Sequence, residues 1–236
     1  MRLVAATAAM LMTAGAAAAA EGWSFRLTPQ AWAPSFDAQV DIADRRAAET
    51  DVAVFDDLEA VPSVEAEIRF RRFGLLAEWT DLDIGEDART DRGGLAATVD
   101  LDGTLATFLA SWRFAERPRW SAEALAGGRY VSLDAEVDVA AARTARTEQS
   151  WGDPLVGLRG AVALSERVTV EGRAQLGGFG IGSDVTWEAR GRLAVALREH
   201  VALAAGWRHL DVEYEKGDIA IDFALIGPFL AVDFVF

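Results

Sequence analysis

The stretch "VTWEARGRLAVAL" (185–197) alternates along its whole length. Val185, Trp187, Ala189, Gly191, Leu193, Val195 and Leu197 share one parity, and Glu188, Arg190 and Arg192 share the other. A period of two belongs to a strand with two different faces, because a helix would spread these residues around its circumference. "VTVEGRAQL" (168–176) repeats the arrangement, with Val168, Val170, Ala174 and Leu176 against Glu171, Arg173 and Gln175. "VEAEIRF" (64–70) repeats it again, with Val64, Ala66, Ile68 and Phe70 against Glu65, Glu67 and Arg69.

Ten segments of this kind have cores near 23–33, 64–71, 73–79, 104–114, 120–130, 153–164, 168–177, 185–197, 201–208 and 224–236. Within each, the charged residues keep to one parity. They are Arg26, Arg69, Arg71, Arg113, Arg129, Arg159, Arg173, Arg190, Arg192 and Arg208, with Glu65, Glu67, Glu78, Glu123, Asp153, Glu171, Glu188 and Asp233. Short connections fall at Arg71–Arg72, 116–119, 165–167 and 198–200. Long ones are expected at 43–61, 85–94 and 140–149, with tighter ones near 178–184 and 215–218. Short turns at one end and longer loops at the other suit a membrane barrel.

The apolar parity carries a second pattern. Trp23, Phe25, Phe70, Phe73, Trp112, Phe114, Trp120, Phe234 and Phe236 lie at the short-turn ends. Trp79, Tyr130, Trp187 and Trp207 lie toward the other ends, with aliphatic residues between. Two aromatic girdles around an aliphatic band match the two interfaces of a bilayer. A soluble barrel would turn this face inward, where such banding has no purpose. The sequence therefore predicts an all-β fold, an antiparallel up-and-down transmembrane β-barrel of about ten strands, with eight as the alternative.

The stretches "LTPQAW" (27–32), "SWGDPLVGLRG" (150–160), "GGFGIGSDVTW" (177–187), "AGWRHLDVEY" (205–214) and "IGPFLAVDFVF" (226–236) span nearly the whole chain past the leader. Through them the chain resembles small Gram-negative outer-membrane β-barrels of the OmpA/OmpW-like kind. The resemblance implies that fold and a place in the cell outer membrane. It also implies that Phe234 and Phe236 form the C-terminal signal read by the barrel-assembly machinery. It brings no catalytic motif.

Residues 1–20, "MRLVAATAAMLMTAGAAAAA", read as a cleaved signal peptide: an early Arg2, an apolar run, then small residues before the cleavage site. The barrel domain is expected over 21–236. Cysteine is absent, which removes disulfides and thiolate-held zinc. A formal net charge of −14 argues against nucleic acid as a partner. The expected partners are outer-membrane lipid, lipopolysaccharide and the assembly machinery, for a monomer without a cofactor.

Four glycines in "GGFGIG" (177–182) look at first like a phosphate cradle. A phosphate loop needs a helix N-terminus behind it, and here a strand follows. The glycines read instead as a tight hairpin in which Ser183 and Asp184 bond nearby backbone. The two histidines, His200 and His209, give no metal-ligand spacing. Ser132, His209 and Asp211 would be the set for a lipid-modifying enzyme, but nothing in their spacing favours one, so no catalytic residue and no enzyme is expected. The acidic runs Asp41, Asp44, Glu49, Asp51, Asp56, Asp57 and Glu59, and Asp81, Asp83, Glu86, Asp87 and Asp91, read as solvated loop surface able to attract cations. "VFDDLEAVP" (54–62) is the one candidate for a short helix or plug.

The strongest constellation is the inward charge set: Arg26, Glu65, Glu67, Arg69, Glu78, Arg113, Glu123, Arg129, Arg159, Glu171, Arg173, Glu188, Arg190, Arg192 and Arg208. Opposite charges in a narrow lumen would pair, because an unpaired charge where water is scarce is costly. A barrel of eight strands is just filled by side chains, whereas sixteen leave a channel. Ten lies nearer the filled end, so a structural or surface-exposed barrel is expected, with a small-solute pore as the alternative.

Overall fold

The computed structural model describes residues 22–42, 45–52, 60–89, 96–139, 143–216 and 219–236. The expected leader, and Asp44, Asp56, Asp57, Glu59 and Asp91 of the acidic runs, lie outside the described residues. Every regular element among the described residues is a strand. In chain order they are β1 (Trp23–Trp32), β2 (Ser35–Ile42), β3 (Arg45–Val52), β4 (Val61–Phe70), β5 (Phe73–Arg89) and β6 (Ala96–Arg117). Then come β7 (Trp120–Val139), β8 (Arg143–Ala163), β9 (Val168–Gly178), β10 (Val185–Arg198), β11 (Val201–Lys216) and β12 (Ile219–Val235).

Strand β1 pairs with β4, each later strand pairs with the next, and β12 returns to β1. Ten strands thus close an antiparallel barrel. β2 and β3 are a hairpin that extends the wall above β1 and β4. Pro34 has no N–H for a ladder, and the chain breaks at Ala33–Pro34 between β1 and β2. Ala33 N donates to the Pro228 carbonyl at 2.9 Å. Beyond it β2 takes over the pairing along β12, from Ser35 opposite Ile226 to Ile42 opposite Ile219.

The connections at one end are short, at 71–72, 118–119, 164–167 and 199–200. At the other end the described parts of the expected long loops are strand, apart from Ala60. β5 runs to Arg89, β6 starts at Ala96, and β8 starts at Arg143, so 85–89 and 143–149 are ladder, and 90–94 and 140–142 lie outside the described residues. β3 lies inside the segment read as a 43–61 loop, and Val61–Pro62 opens β4, while 54–59 of the helix or plug candidate lie outside the described residues. The acidic residues there misled by composition, although the period of two continues beneath them. Backbone groups at the rim are satisfied by cross-strand bonds once two long strands lie side by side.

The wall reverses character along its height. On the short-turn side the outward residues are apolar and exposed, among them Phe73 at 65%, Leu158 at 60% and Leu230 at 62%. Trp23, Trp112, Phe114 and Trp120 ring that end, and Trp79, Tyr130, Trp187 and Trp207 ring the upper limit of the belt. Above Trp79 the parities exchange roles. Asp81, Asp102, Glu213, Glu215 and Asp222 are exposed, while Trp32, Leu82, Leu105, Val131, Leu133 and Trp151 form an apolar core with Leu210, Val212, Tyr214, Phe223 and Leu225. The barrel is therefore two storeys: a lower one apolar outside and charged inside, and an upper one charged outside and apolar inside.

The seam has Leu27 opposite Phe234 and Trp32 opposite Phe229. A pairing of Trp23 near Phe234, which would put Pro29 beside Pro228, is four residues out of this register. Pro29 instead faces Val64 on β4, and Pro228 faces Trp207 on β11. The seam ladder skips from Leu27–Phe234 to Gln30–Ala231. Thr28 Oγ1 donates to Asp233 Oδ1 at 2.7 Å across that gap. The seam closes at its lower end on Phe25 and Phe236, which exchange backbone bonds of 3.0 and 2.8 Å.

Candidate functional site

The lower storey encloses the charged residues, which sort into three groups by height and side. Nearest the short turns, Glu67 and Glu123 share two arginines, Arg69 and Arg159. Arg69 Nη2 donates to Glu67 Oε1 at 2.5 Å and to Glu123 Oε2 at 2.8 Å. Arg159 grips Glu67 through both terminal nitrogens, at 2.9 and 2.6 Å, and Glu123 through Nε at 3.0 Å. Arg113 adds a 3.0 Å bond to Glu123 and reaches the exposed Glu116 at 2.7 Å. These residues meet because β4, β6, β7 and β8 present one parity to the same small lumen. Planar guanidinium groups can donate to two carboxylates at once, so arginine rather than lysine suits the role.

Higher up, Glu65, Glu78 and Glu188 are interleaved with Arg129, Arg173, Arg190 and Arg208. Arg173 donates to Glu65 at 3.0 Å and to Glu78 at 2.6 Å. Arg190 bonds Glu65 and also Glu78, the latter at 3.0 Å. Arg208 bonds Glu78 at 2.8 Å and Glu188 at 3.1 Å, and Arg129 bonds Glu188. To one side, Arg192 joins Glu171 at 2.7 Å and Asp233 at 2.9 Å, and Arg26 stands 3.5 Å from Glu171.

Neutral polar residues and a cluster of Leu76, Leu109, Leu125 and Leu155 complete the lining. Gln30 Nε2 donates to Ser63 and Glu78 at 2.9 and 3.2 Å. Trp32 closes the top, with the Arg208 guanidinium 4.5 Å from its ring centre, and the apolar core continues above it. One cavity, of about 30 Å³, lies between Thr28, Gln30, Glu171, Arg173, Arg190 and Arg192. That volume admits a water or two and no larger solute.

All fifteen residues read as the inward set lie in this lumen, each with an opposite charge within 4.0 Å. Arg71 is the exception among the parity-matched charges. It is the first residue of the β4–β5 turn, exposed, at φ 54°. Asp153 is inward and buried, but it accepts from Trp151 Nε1 at 3.1 Å and from the Ser183 backbone at 2.6 Å, so it ties down the β9–β10 turn. That turn contains the glycine run. Gly178 and Gly180 adopt φ 85° and 71°, and Asp184 caps it by accepting from Glu215 N at 2.8 Å. Sequence reasoning missed Trp32 as a lid and the apolar upper core. Their signal was present, since Leu210, Val212 and Tyr214 alternate with Asp211 and Glu213 on the parity of Arg208.

Phe234 and Phe236 have outward parity at the short-turn end. The Phe236 ring stacks on Phe25 at 6.0 Å. Ser132 and His209 do not meet. They lie on β7 and β11, four strands apart in the wall, or about 19 Å at ~4.8 Å per strand. His209 stacks on Trp187 at 4.2 Å and lies 3.9 Å from Asp211.

No family model and no curated protein matches the chain in sequence. Among solved structures it is similar to the translocator domain of the autotransporter NalP from Neisseria meningitidis, at 12% identity and TM-score 0.45, over 99% of this chain and 97% of that one. It is similar to Ail, the attachment invasion locus protein of Yersinia pestis, at 9% identity and TM-score 0.41, over 91% and 99% of the two chains. It is likewise similar to the outer membrane protein OprG from Pseudomonas aeruginosa, at 10% identity and TM-score 0.41, over 91% and 95%.

Proposed function

We propose that the chain is an integral outer-membrane β-barrel with a structural or surface-exposed role and an occluded lumen. One observation carries the occlusion: the charged side chains of the lower storey are bonded to one another across the bore, Arg159 to Glu67 and Glu123, Arg173 to Glu65 and Glu78, and Arg208 to Glu78 and Glu188. A working pore needs a continuous water column, and arginines and glutamates that line one face bulk water rather than each other.

Membrane insertion is supported by the apolar belt between two aromatic rings, which in water would be a large aggregating surface. It is also supported by the reversal above Trp79. Hydrocarbon outside favours apolar residues outward, and water outside favours the opposite. The partners in this reading are outer-membrane lipid and lipopolysaccharide, and, during biogenesis, the assembly machinery acting on Phe234 and Phe236. The barrel is read as a monomer without catalytic activity, reached through a cleaved leader.

The test is planar-bilayer conductance of the refolded protein. Current at the level of protein-free bilayers is expected. Stable ohmic steps would replace this reading with a small-solute pore.

A further inference from the structure

The lipid-facing wall is not uniform. Across β4, β5, β6 and β7 four outward positions of one patch are alanine: Ala66 stands opposite Ala77, and Ala110 stands opposite Ala126. Leu75 and Phe108 rise beside them, 63% and 61% exposed. Together they bound an open apolar groove of about 450 Å³. Its floor at Ala77 is four residues from Phe73 and the β4–β5 turn, about 14 Å of strand at ~3.4 Å per residue. One acyl chain suspended from a headgroup at that turn would reach it.

The turn itself is Arg71–Arg72. Both side chains are exposed, and neither meets a carboxylate among the described residues. Arg71 sits at φ 54°, where glycine or asparagine is the easy choice and a long side chain is strained. Its backbone N–H is held by the Gly22 carbonyl at 3.1 Å, and its guanidinium lies 5.0 Å from the Phe70 ring centre. Arg72 is fixed through its carbonyl, which accepts from Arg113 N at 2.8 Å. Two unpaired cations are thus held at the level of the aromatic girdle, directly below an apolar groove. An anionic headgroup joined to an acyl chain has the complementary shape and charge.

We infer that this groove and the Arg71–Arg72 turn form a binding site for one anionic glycerophospholipid of the leaflet on the short-turn side. The site rests on the membrane-barrel reading above. Phosphate oxygens meet the two guanidinium groups, and one acyl chain lies over Ala66, Ala77, Ala110 and Ala126.

The experiment is native mass spectrometry of the refolded full barrel, released from detergent micelles containing equal phosphatidylglycerol and phosphatidylcholine. Wild type is expected to retain one phosphatidylglycerol in preference to phosphatidylcholine. Arg71→Gly with Arg72→Gln should lower that preference by roughly fivefold per arginine, the factor expected of one basic side chain at an anionic surface. Glycine fits the turn at least as well, so this loss cannot be assigned to misfolding. Ala110→Phe, on the exposed floor, should reduce retention of both lipids. Arg167→Gln, in a different short turn, should change neither. Equal retention of the two lipids by wild type would overturn the site. So would a loss in Arg167→Gln as large as in the turn variant. Heat-modifiable migration, followed in each sample, reports the barrel independently. Its absence in wild type would fail the membrane-barrel reading itself, not the lipid site alone.

Discussion

Glu188 is a lumen residue whose removal should be costly. It is 1% exposed, bonded to Arg129 and Arg208, with Arg173 and Arg190 at 3.9 and 4.0 Å. Glu188→Ala would leave this group of arginines with surplus charge in a space that admits little water. Removing one partner of a buried pair costs about 3–5 kcal/mol, so thermal stability in detergent should fall clearly while conductance stays at background. Glu116→Ala is the contrasting case. Glu116 bonds Arg113 at the exposed rim, and such pairs contribute about 0–1 kcal/mol, so its melting temperature should scarcely move. A conducting Glu188→Ala barrel of unchanged stability would mean that water already screens the lumen. At this scale the sequence was legible where a residue sits in mid-strand, because parity alone settles which way Glu188 or Arg173 points. It was illegible at Arg71, where one turn residue takes the side chain out of the alternating series. It was also illegible at Asp153, because nothing local shows that the β9–β10 turn folds back onto its carboxylate.

Strand lengths were harder to read than strand positions. Each of the ten segments falls on a wall strand, but β6, β7 and β8 extend to 22, 20 and 21 residues. A tilted span needs about 9–11, so roughly half of each lies beyond the apolar belt. There the period of two persists with its charge parity inverted, and Asp-rich composition disguised it as loop. The seam register is not legible in the sequence, because hydrophobic alternation fixes a strand's face, while every even shift of register preserves that face. The register of Leu27 with Phe234 makes β1 the weakest wall strand: it is 10 residues long, and its ladder to β12 is interrupted beside Pro29. Hydrogen exchange should therefore open Arg26–Trp32 before Val170–Leu193, where the β9–β10 ladder runs without a gap. Uniform protection around the wall would refute this. Phe236 closes the seam with both backbone bonds and a ring contact to Phe25. Its deletion should leave chains processed but unassembled, seen as loss of the heat-modifiable form.

At the scale of the whole barrel, two solvents act on one wall. The lower storey resembles a soluble protein turned inside out, and the upper storey is right way out, packed on Trp32, Leu105, Val131, Leu210 and Leu225. The joint is the contact between Trp32 and Arg208, apolar core above and ion pairs below. Each storey should then fail separately. Leu210 is fully buried in the upper core and stands directly opposite Glu188 on β10, so Leu210→Asp buries a charge against apolar packing and beside a like charge. That substitution should unfold the upper strands, because a buried unpaired charge costs more than a single storey's packing can absorb. The lower storey does not depend on that core, since its outer face is held by hydrocarbon and its interior by the Glu65–Glu78–Glu188 group. Leu158→Asp places the same charge on the exposed apolar belt instead. A charged residue facing lipid is destabilising, most near mid-bilayer and least at the interfaces. With Leu210→Asp, external protease should cut the acidic upper strands while a membrane-embedded, heat-modifiable fragment survives and conductance stays at background. With Leu158→Asp, insertion itself should drop, and whatever inserts should keep a protease-resistant upper storey. Loss of the embedded fragment in Leu210→Asp would show that the two storeys fold as one cooperative unit, and would remove the two-solvent account of this wall.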